Sequence, residues 1–264
     1  MADFTAKDVQ ALRQATGAGM MDAKKALVEA EGDFDAAAKK LREKGLAKAA
    51  TRSDRDNVEG VVAVADADSA AAIVQLRSET DFSAKSDDFV KLSQDLADAV
   101  AQGGPDAVSD LQARIDDLKV TLKENIELGQ VIHVPKAEGT VVDTYLHVQD
   151  GRGVNGVITV LDGGNADLAH DISIHIAFTK PAYLTRDQVP QAAIDEERET
   201  LTEITRKEGK PEEALPKIVE GKLGGWFRDQ VLLEQKFVRD EKVTIEKLLG
   251  DASIQRYEQV VIGS

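Results

Sequence analysis

Glu59-Gly60-Val61-Val62-Ala63-Val64-Ala65, then Asp66-Ala67-Asp68-Ser69, then Ala71-Ala72-Ile73-Val74-Gln75-Leu76, is the clearest architectural signal in the chain. Two runs rich in Val, Ile and Ala flank a polar tetrapeptide, the pattern of a β-hairpin. Further along, Glu138-Gly139-Thr140-Val141-Val142 echoes the first run and Gly156-Val157-Ile158-Thr159-Val160-Leu161 echoes the second. Helical sequence follows each pair. The same order of elements, met twice, reads as two related α+β subdomains with small antiparallel sheets. Chance likeness between two hairpins is the alternative.

Upstream lies a different pattern. Thr5 can cap a helix with Val9, Leu12 and Ala15 on one face, and Thr16-Gly17-Ala18-Gly19 breaks it. Met20, Ala23, Leu27 and Ala30 then recur at helical spacing. Gly32-Asp33 is a stop and a cap, and Phe34, Ala37, Ala38 and Leu41 form a third stripe that should end at Gly45. Three short helices make a bundle too small for an internal active site, so binding is the expected role. Met20 and Met21 are adjacent and cannot both enter one core. A flexible thioether suits a partner surface, and gap filling around the turn is the other reading.

After the first hairpin comes Glu79-Thr80-Asp81-Phe82-Ser83-Ala84-Lys85, one aromatic in a polar run. Phe82 is either an anchor for a partner's pocket or a cap on the core beneath the loop. Phe89, Leu92, Leu96 and Val100 give a helical stripe ending at Gly103-Gly104-Pro105. Leu111, Ile115, Leu118 and Leu122 give another, and Val131 to Val134 is a short strand. In the second hairpin, Tyr145-Leu146-His147 precedes a turn at Gly151-Arg152-Gly153. His147 near a strand end is either a surface residue or a functional one.

From 190 to 228 the sequence becomes dense in Glu and Arg. Ile194, Leu201 and Ile204, then Ala214, Leu215, Ile218, Val219, Leu223 and Trp226, flank the turn Gly209-Lys210-Pro211. A narrow stripe with charged flanks reads as an antiparallel coiled-coil hairpin that protrudes. Val231 to Val238 returns to the body, Val243 to Leu249 is a short helix and Tyr257 to Ile262 a closing strand. The expected domains are 1–54, 55–137, 138–189 with 229–264, and the inserted arm 190–228.

The chain has 264 residues, a formal net charge of −15 and 4% aromatics. So acidic a protein repels phosphate backbones, which disfavours nucleic acid, although Lys39 to Arg55 is locally basic. There are no cysteines, which excludes disulfides and thiolate chemistry. No apolar run approaches the length of a membrane span. Met1-Ala2-Asp3-Phe4-Thr5 lacks the layout of a signal peptide. A soluble cytoplasmic protein is expected.

Enzyme constellations are missing. There is no phosphate-binding G-x-x-x-x-G-K-S/T loop and no G-x-S-x-G elbow. Gly151 to Gly156 matches G-x-G-x-x-G by letter, but between two strands rather than before a helix. His170 and His175, five apart, lack the spacing of a helical metal pair. No metal, cofactor or catalytic acid–base set is expected.

Thr16-Gly17-Ala18-Gly19-Met20-Met21-Asp22-Ala23-Lys24-Lys25-Ala26-Leu27 resembles the most recognisable segment of the bacterial elongation factor Ts family. Thr80-Asp81-Phe82-Ser83-Ala84-Lys85 is similar to that family's T-D-F-V-A-K loop. His175-Ile176-Ala177 with Lys180-Pro181, and Glu208-Gly209-Lys210-Pro211 through Lys217 to Leu223, extend the likeness from about residue 4 to residue 262. The resemblance implies a ubiquitin-associated-like N-terminal domain, a two-subdomain core and a coiled-coil arm. It implies guanine-nucleotide exchange on elongation factor Tu. Asp81 and Phe82, with Thr80, would be the wedge near the partner's phosphate and magnesium region. His147 would pack in the same region, and Leu12, Met20 and Met21 would touch the GTPase domain.

Three departures stand out. Ser83 replaces the usual apolar residue of the loop. Asp150 to Asn155 reads as a longer turn than the common pattern. Some members continue past the equivalent of Ser264 into a further partner-touching segment, which is expected to be missing here. Two other classes compete with exchange. One is a scaffold whose N-terminal bundle binds peptides, and the other an RNA-associated translation protein using Lys39 to Arg55.

Overall fold

The computed structural model describes residues 4–263. Met1–Asp3, on which the signal-peptide reading partly rests, lie outside the described residues, as does Ser264. The chain forms two compact units. One holds the chain through Pro135, Leu146–Gly156 and the segment from Val260 onward. The other holds Lys136–Tyr145 and Val157–Gln259.

In the first unit, three helices open the chain: α1 (Ala6–Thr16), α2 (Met20–Glu29) and α3 (Phe34–Ala50). Thr5 and Asp8 form a capping box on α1, and the Asp33 side chain accepts from Ala36 N on α3 at 2.9 Å. Gly17 ends α1 at φ 63°, a left-handed cap that glycine adopts without strain. Val9, Leu12, Ala23, Ala26, Leu27, Ala37 and Leu41 form the bundle's core. Gly45 does not end α3, which runs another turn and a half. A Cβ there would lie 2.6 Å from Val120 Cγ1, so the glycine serves close helix packing rather than termination.

The first sheet has the order β1-β2-β3, from β1 (Glu59–Asp66), β2 (Ala70–Ser78) and β3 (Glu127–Pro135). Glu59 pairs with Ser78 and Asp66 with Ala71, so the hairpin turns where the sequence places it. β3 is longer than the four residues expected, because it runs antiparallel along nearly all of β2, from Ala70↔Pro135 to Arg77↔Glu127. Between β2 and β3 lie α4 (Asp81–Ala84), α5 (Asp87–Gly103) and α6 (Gln112–Leu122). Phe89, Leu92, Leu96 and Val100 of α5 are buried against Val61, Ala63, Ala72, Val74 and Leu76. Burying each such side chain contributes roughly 1.5–3 kcal/mol.

The second sheet, β4 (Thr140–Gln149), β5 (Arg152–Asp162) and β8 (Ser253–Val261), has the order β4-β5-β8. As in the first sheet, the third strand pairs with the hairpin's second strand. This agrees with the echo between the two hairpins. The second unit's core joins Val157 and Leu161 of β5 to Ala169, Ile172 and Ile176 of α7 (Ala166–Thr179). It also takes in Phe237 of β6 (Lys236–Phe237) and Ile245 and Leu249 of α10 (Ile245–Leu249). Val243, expected in that helix, instead belongs to β7 (Asp240–Thr244), which pairs with β6.

α8 (Gln191–Lys207) and α9 (Leu215–Gln230) form the helical hairpin. Leu215, Val219, Leu223 and Phe227 recur every fourth residue and are buried. Arg198–Glu220 and Lys222–Glu208 ion pairs link the two helices. Phe227, rather than its neighbour Trp226, fills the base of the hairpin, with the Arg186 guanidinium 4.3 Å from its ring centroid.

Candidate functional site

The turn after β2 is built from its hydrogen bonds. Thr80 is the N-cap of α4 at φ −125°, ψ 151°, and its hydroxyl accepts from Ser83 N. The Ser78 hydroxyl donates to Thr80 O at 3.0 Å and the Ser86 hydroxyl to Ser83 O at 2.8 Å. One helical turn then sorts the side chains. Ser83 and Ala84 face inward and are buried, which turns Asp81 and Phe82 outward. Phe82 is 87% exposed. The reading of Phe82 as a core cap therefore fails, and a large ring stands in water on a backbone that is tied down.

Lys85 closes the turn. Its ammonium lies 2.7 Å from Asp81 Oδ2 and 3.4 Å from Asp150 Oδ2. The hydrogen bond from Lys85 holds the Asp81 carboxyl below its ordinary value, and the same bond raises Lys85. Asp150 is the tip of the β4–β5 hairpin. Asp150 and Gly151 have φ 51° and 80°, both positive, as a two-residue hairpin turn requires. The turn is thus shorter than expected, and Arg152 and Gly153 already belong to β5. His147 lies exposed on β4 three residues before this tip, with Val148 beside it 55% exposed. Lys85 accordingly joins the element that carries Phe82 to the hairpin that carries His147.

The G-x-G-x-x-G letters have a packing explanation. A Cβ on Gly153 would lie 2.1 Å from Val62 O, and one on Gly156 would lie 2.8 Å from Val62 Cγ1. These glycines let β5 lie against β1. Arg152, which carried no signal in the sequence beyond its glycine neighbours, is buried, and its Nη1 donates to Gly60 O at 2.6 Å. Glu124 and Asn125 likewise carry no signal of their own in the sequence, since they sit in a polar stretch between a helix and a strand. Glu124 accepts from Thr80 and Ser83, and Asn125 donates to the Arg55 carbonyl oxygen.

The N-terminal residues divide. Met20 and Met21 at the start of α2 are 46% and 75% exposed, so neither fills a gap in the core. Leu12 is 0% exposed. The inner face of α1, which carries Leu12, packs onto α2 and α3 in the core of the bundle. On α7, His175 is buried and His170 is exposed, with its Nδ1 3.2 Å from Asp143 Oδ1. Among the described residues no group of His, Cys, Asp and Glu is arranged to hold a metal ion, and no helix is long and apolar enough to cross a membrane.

Phe82 thus stands exposed on a hydrogen-bonded turn of an α+β scaffold, and Met20 and Met21 are 46% and 75% exposed on a helical bundle. Residues 79–263 match the family described as Elongation factor TS. Elongation factor Ts of Kineococcus radiotolerans is 45% identical over 96% of each chain. That of Thermobifida fusca is 41% identical over 100% of this chain and 99% of its own, and that of Micrococcus luteus 44% over 96% and 95%. The chain belongs to the elongation factor Ts family, and its role is that of a translation elongation factor.

Proposed function

We propose that this protein is the guanine-nucleotide exchange factor of elongation factor Tu. It binds the GDP-loaded partner and promotes GDP release by inserting the Asp81–Phe82 turn near the partner's phosphate and magnesium region. The observation that carries this reading is the exposure of Phe82 on a turn whose flanking backbone is hydrogen-bonded on both sides. A buried aromatic could not enter a partner, and one on a loose loop would lose ordering entropy on entering.

Exchange needs no acid, base or metal from the factor. A nucleotide held at nanomolar affinity is bound by about 12 kcal/mol and leaves slowly unless that binding is weakened. A factor that prefers the nucleotide-free partner weakens the nucleotide by the same factor that the nucleotide weakens it. In this scheme Phe82 is the wedge, and Asp81 and Thr80 shape the turn. His147 packs beside it, Met20 and Met21 grip the GTPase domain, and Leu12 holds the bundle that carries them. We place this work in the cytoplasm, without direct binding of nucleotide or nucleic acid. Within the two units we propose four working modules: 1–54, 55–137, 138–189 with 229–264, and 190–228.

The test is stopped-flow release of a fluorescent GDP from elongation factor Tu. Acceleration that rises with factor concentration and collapses in Phe82→Ala supports the reading. A folded protein that forms the complex without accelerating release refutes it.

A further inference from the structure

We propose that Glu124 is the positioning residue of this surface, the side chain that holds the Phe82 turn in its presenting shape. The proposal rests on the exchange reading above. Glu124 lies between α6 and β3, remote in sequence from the turn. Its Oε2 accepts from the backbone N–H of Glu79 at 3.1 Å and of Thr80 at 3.2 Å. Its Oε1 accepts from the hydroxyls of Thr80 and Ser83, both at 2.6 Å. Four donors thus converge on one carboxylate, which has about four acceptor sites to offer.

These bonds lie on both sides of Phe82, two residues before it and one after. Charge-assisted bonds of this kind are about twice as strong as neutral ones. The anchor is itself anchored. Asn125 N donates to Glu79 Oε1 at 2.6 Å, and Asn125 Nδ2 donates to Arg55 O at 2.8 Å and Ser53 O at 3.3 Å. Ser83, where the T-D-F-V-A-K pattern carries an apolar residue, supplies the fourth donor. The departure therefore adds a bond to the turn instead of loosening it. A ring that must part packed elements of a partner gains from being held in advance, because no ordering cost falls due at insertion.

The experiment has two arms. In the free protein, amide hydrogen exchange of Glu79, Thr80 and Ser83 is followed by NMR. With elongation factor Tu, GDP release is followed for Glu124→Ala, Glu124→Gln, Phe82→Ala and the double variant Glu124→Ala/Phe82→Ala. Glu124→Ala should speed exchange at those amides and cut GDP release roughly tenfold, the scale of one or two lost charge-assisted bonds. Glu124→Gln should restore most of both. Its oxygen can keep the two backbone donors while its amide turns to the two hydroxyls, which accept as well as donate. The double variant should be no slower than Phe82→Ala alone, since Glu124 acts through that ring.

Unchanged amide protection in Glu124→Ala, or losses that multiply in the double variant, overturns the proposal. Should Glu124→Ala fail to fold, Ser83→Ala removes a single donor and reads the same carboxylate, with a smaller loss of protection expected and no change overturning it. If Phe82→Ala leaves GDP release untouched, the exchange reading falls. The amide arm then still decides whether Glu124 holds the turn.

Discussion

The Arg152 guanidinium meets the Glu59 carboxylate at 2.7 Å, Nη2 to Oε2, tying the start of β5 to the start of β1. The same fork donates to Gly60 O. Arg152→Ala leaves a backbone carbonyl and a carboxylate without their donor. Glu59 keeps some access to water, so the expected loss is about 2–3 kcal/mol rather than the full cost of an orphaned buried charge. Arg152→Lys cannot span both acceptors with one planar fork and should recover less than half of that. Urea unfolding midpoints measure both.

Phe82→Ala should separate function from stability. An 87% exposed side chain contributes little to the core, so unfolding should shift by no more than about 0.5 kcal/mol. GDP release from elongation factor Tu should slow by roughly thirtyfold, the scale of an interface hot spot. A melting temperature that falls in step with activity would return Phe82 to a structural role.

Met21 offers a second test of the surface. It is 75% exposed on α2, and Met21→Glu places a charge where an apolar contact is proposed. Complex formation, measured by titration calorimetry, should weaken about tenfold while circular dichroism and melting stay unchanged. Retained affinity would remove the start of α2 from the contact surface.

Gly153→Ala should be costly although alanine is the smallest change available. Its Cβ would sit 2.1 Å from Val62 O, a backbone atom that cannot swing away. A loss of about 3 kcal/mol is expected from the forced shift of β5 against β1. Calorimetry of the variant measures it, and a near-neutral result would mean that the strands yield easily.

His175 gives the protein a pH dependence of defined sign. Gln235 Nε2 donates to Asp229 O, which leaves Gln235 Oε1 facing Thr179 and His175 as an acceptor. The imidazole therefore donates from Nε2, and Nδ1 accepts from Val238 N at 3.3 Å. Burial holds this histidine below its ordinary value of 6.5, with the bond to Gln235 opposing the shift. The unfolded chain then takes up a proton before the folded one does. Stability is unaffected by this group above pH 6.5 and falls as pH drops from there toward the folded value. His175→Gln should flatten the stability profile below pH 6.5 relative to the parent, and an unchanged slope in urea titrations would refute the assignment.

Much of this fold is legible in the sequence because periodicity reports burial directly. Phe89, Leu92, Leu96 and Val100 announce α5, and the Val-rich runs announce β1 and β2, since each stripe has one face to hide. The failures share a physical cause: partners distant in the chain. β3 has no clean alternation, and its length follows from pairing along β2. Gly45 looks like a stop until Val120 is found against it. Exposure of Phe82 depends on which way a single helical turn is rolled, and that is decided by Glu124, forty-odd residues away, whose polar neighbourhood carries no signal of its own. Leu12 shows the converse, because spacing marks the apolar face of α1 and the packing of α2 and α3 against it then buries Leu12 completely.

The path of the chain through the two units has a consequence for synthesis. The first unit takes in Leu146–Gly156 and the stretch from Val260 onward, where Ile262 N donates to Val154 O at 2.9 Å and Gln75 Nε2 reaches Val261 O. A ribosome delivers the stretch from Val260 onward after every other part of that unit, and more than a hundred residues after Gly156. The bundle and the β1–β2 hairpin can form as they emerge, yet their unit is not closed until residue 260 and beyond have cleared the exit tunnel. Nascent chains arrested just short of that point should be protease-sensitive around Asn125 and Arg152, and should harden together once the last strand is out.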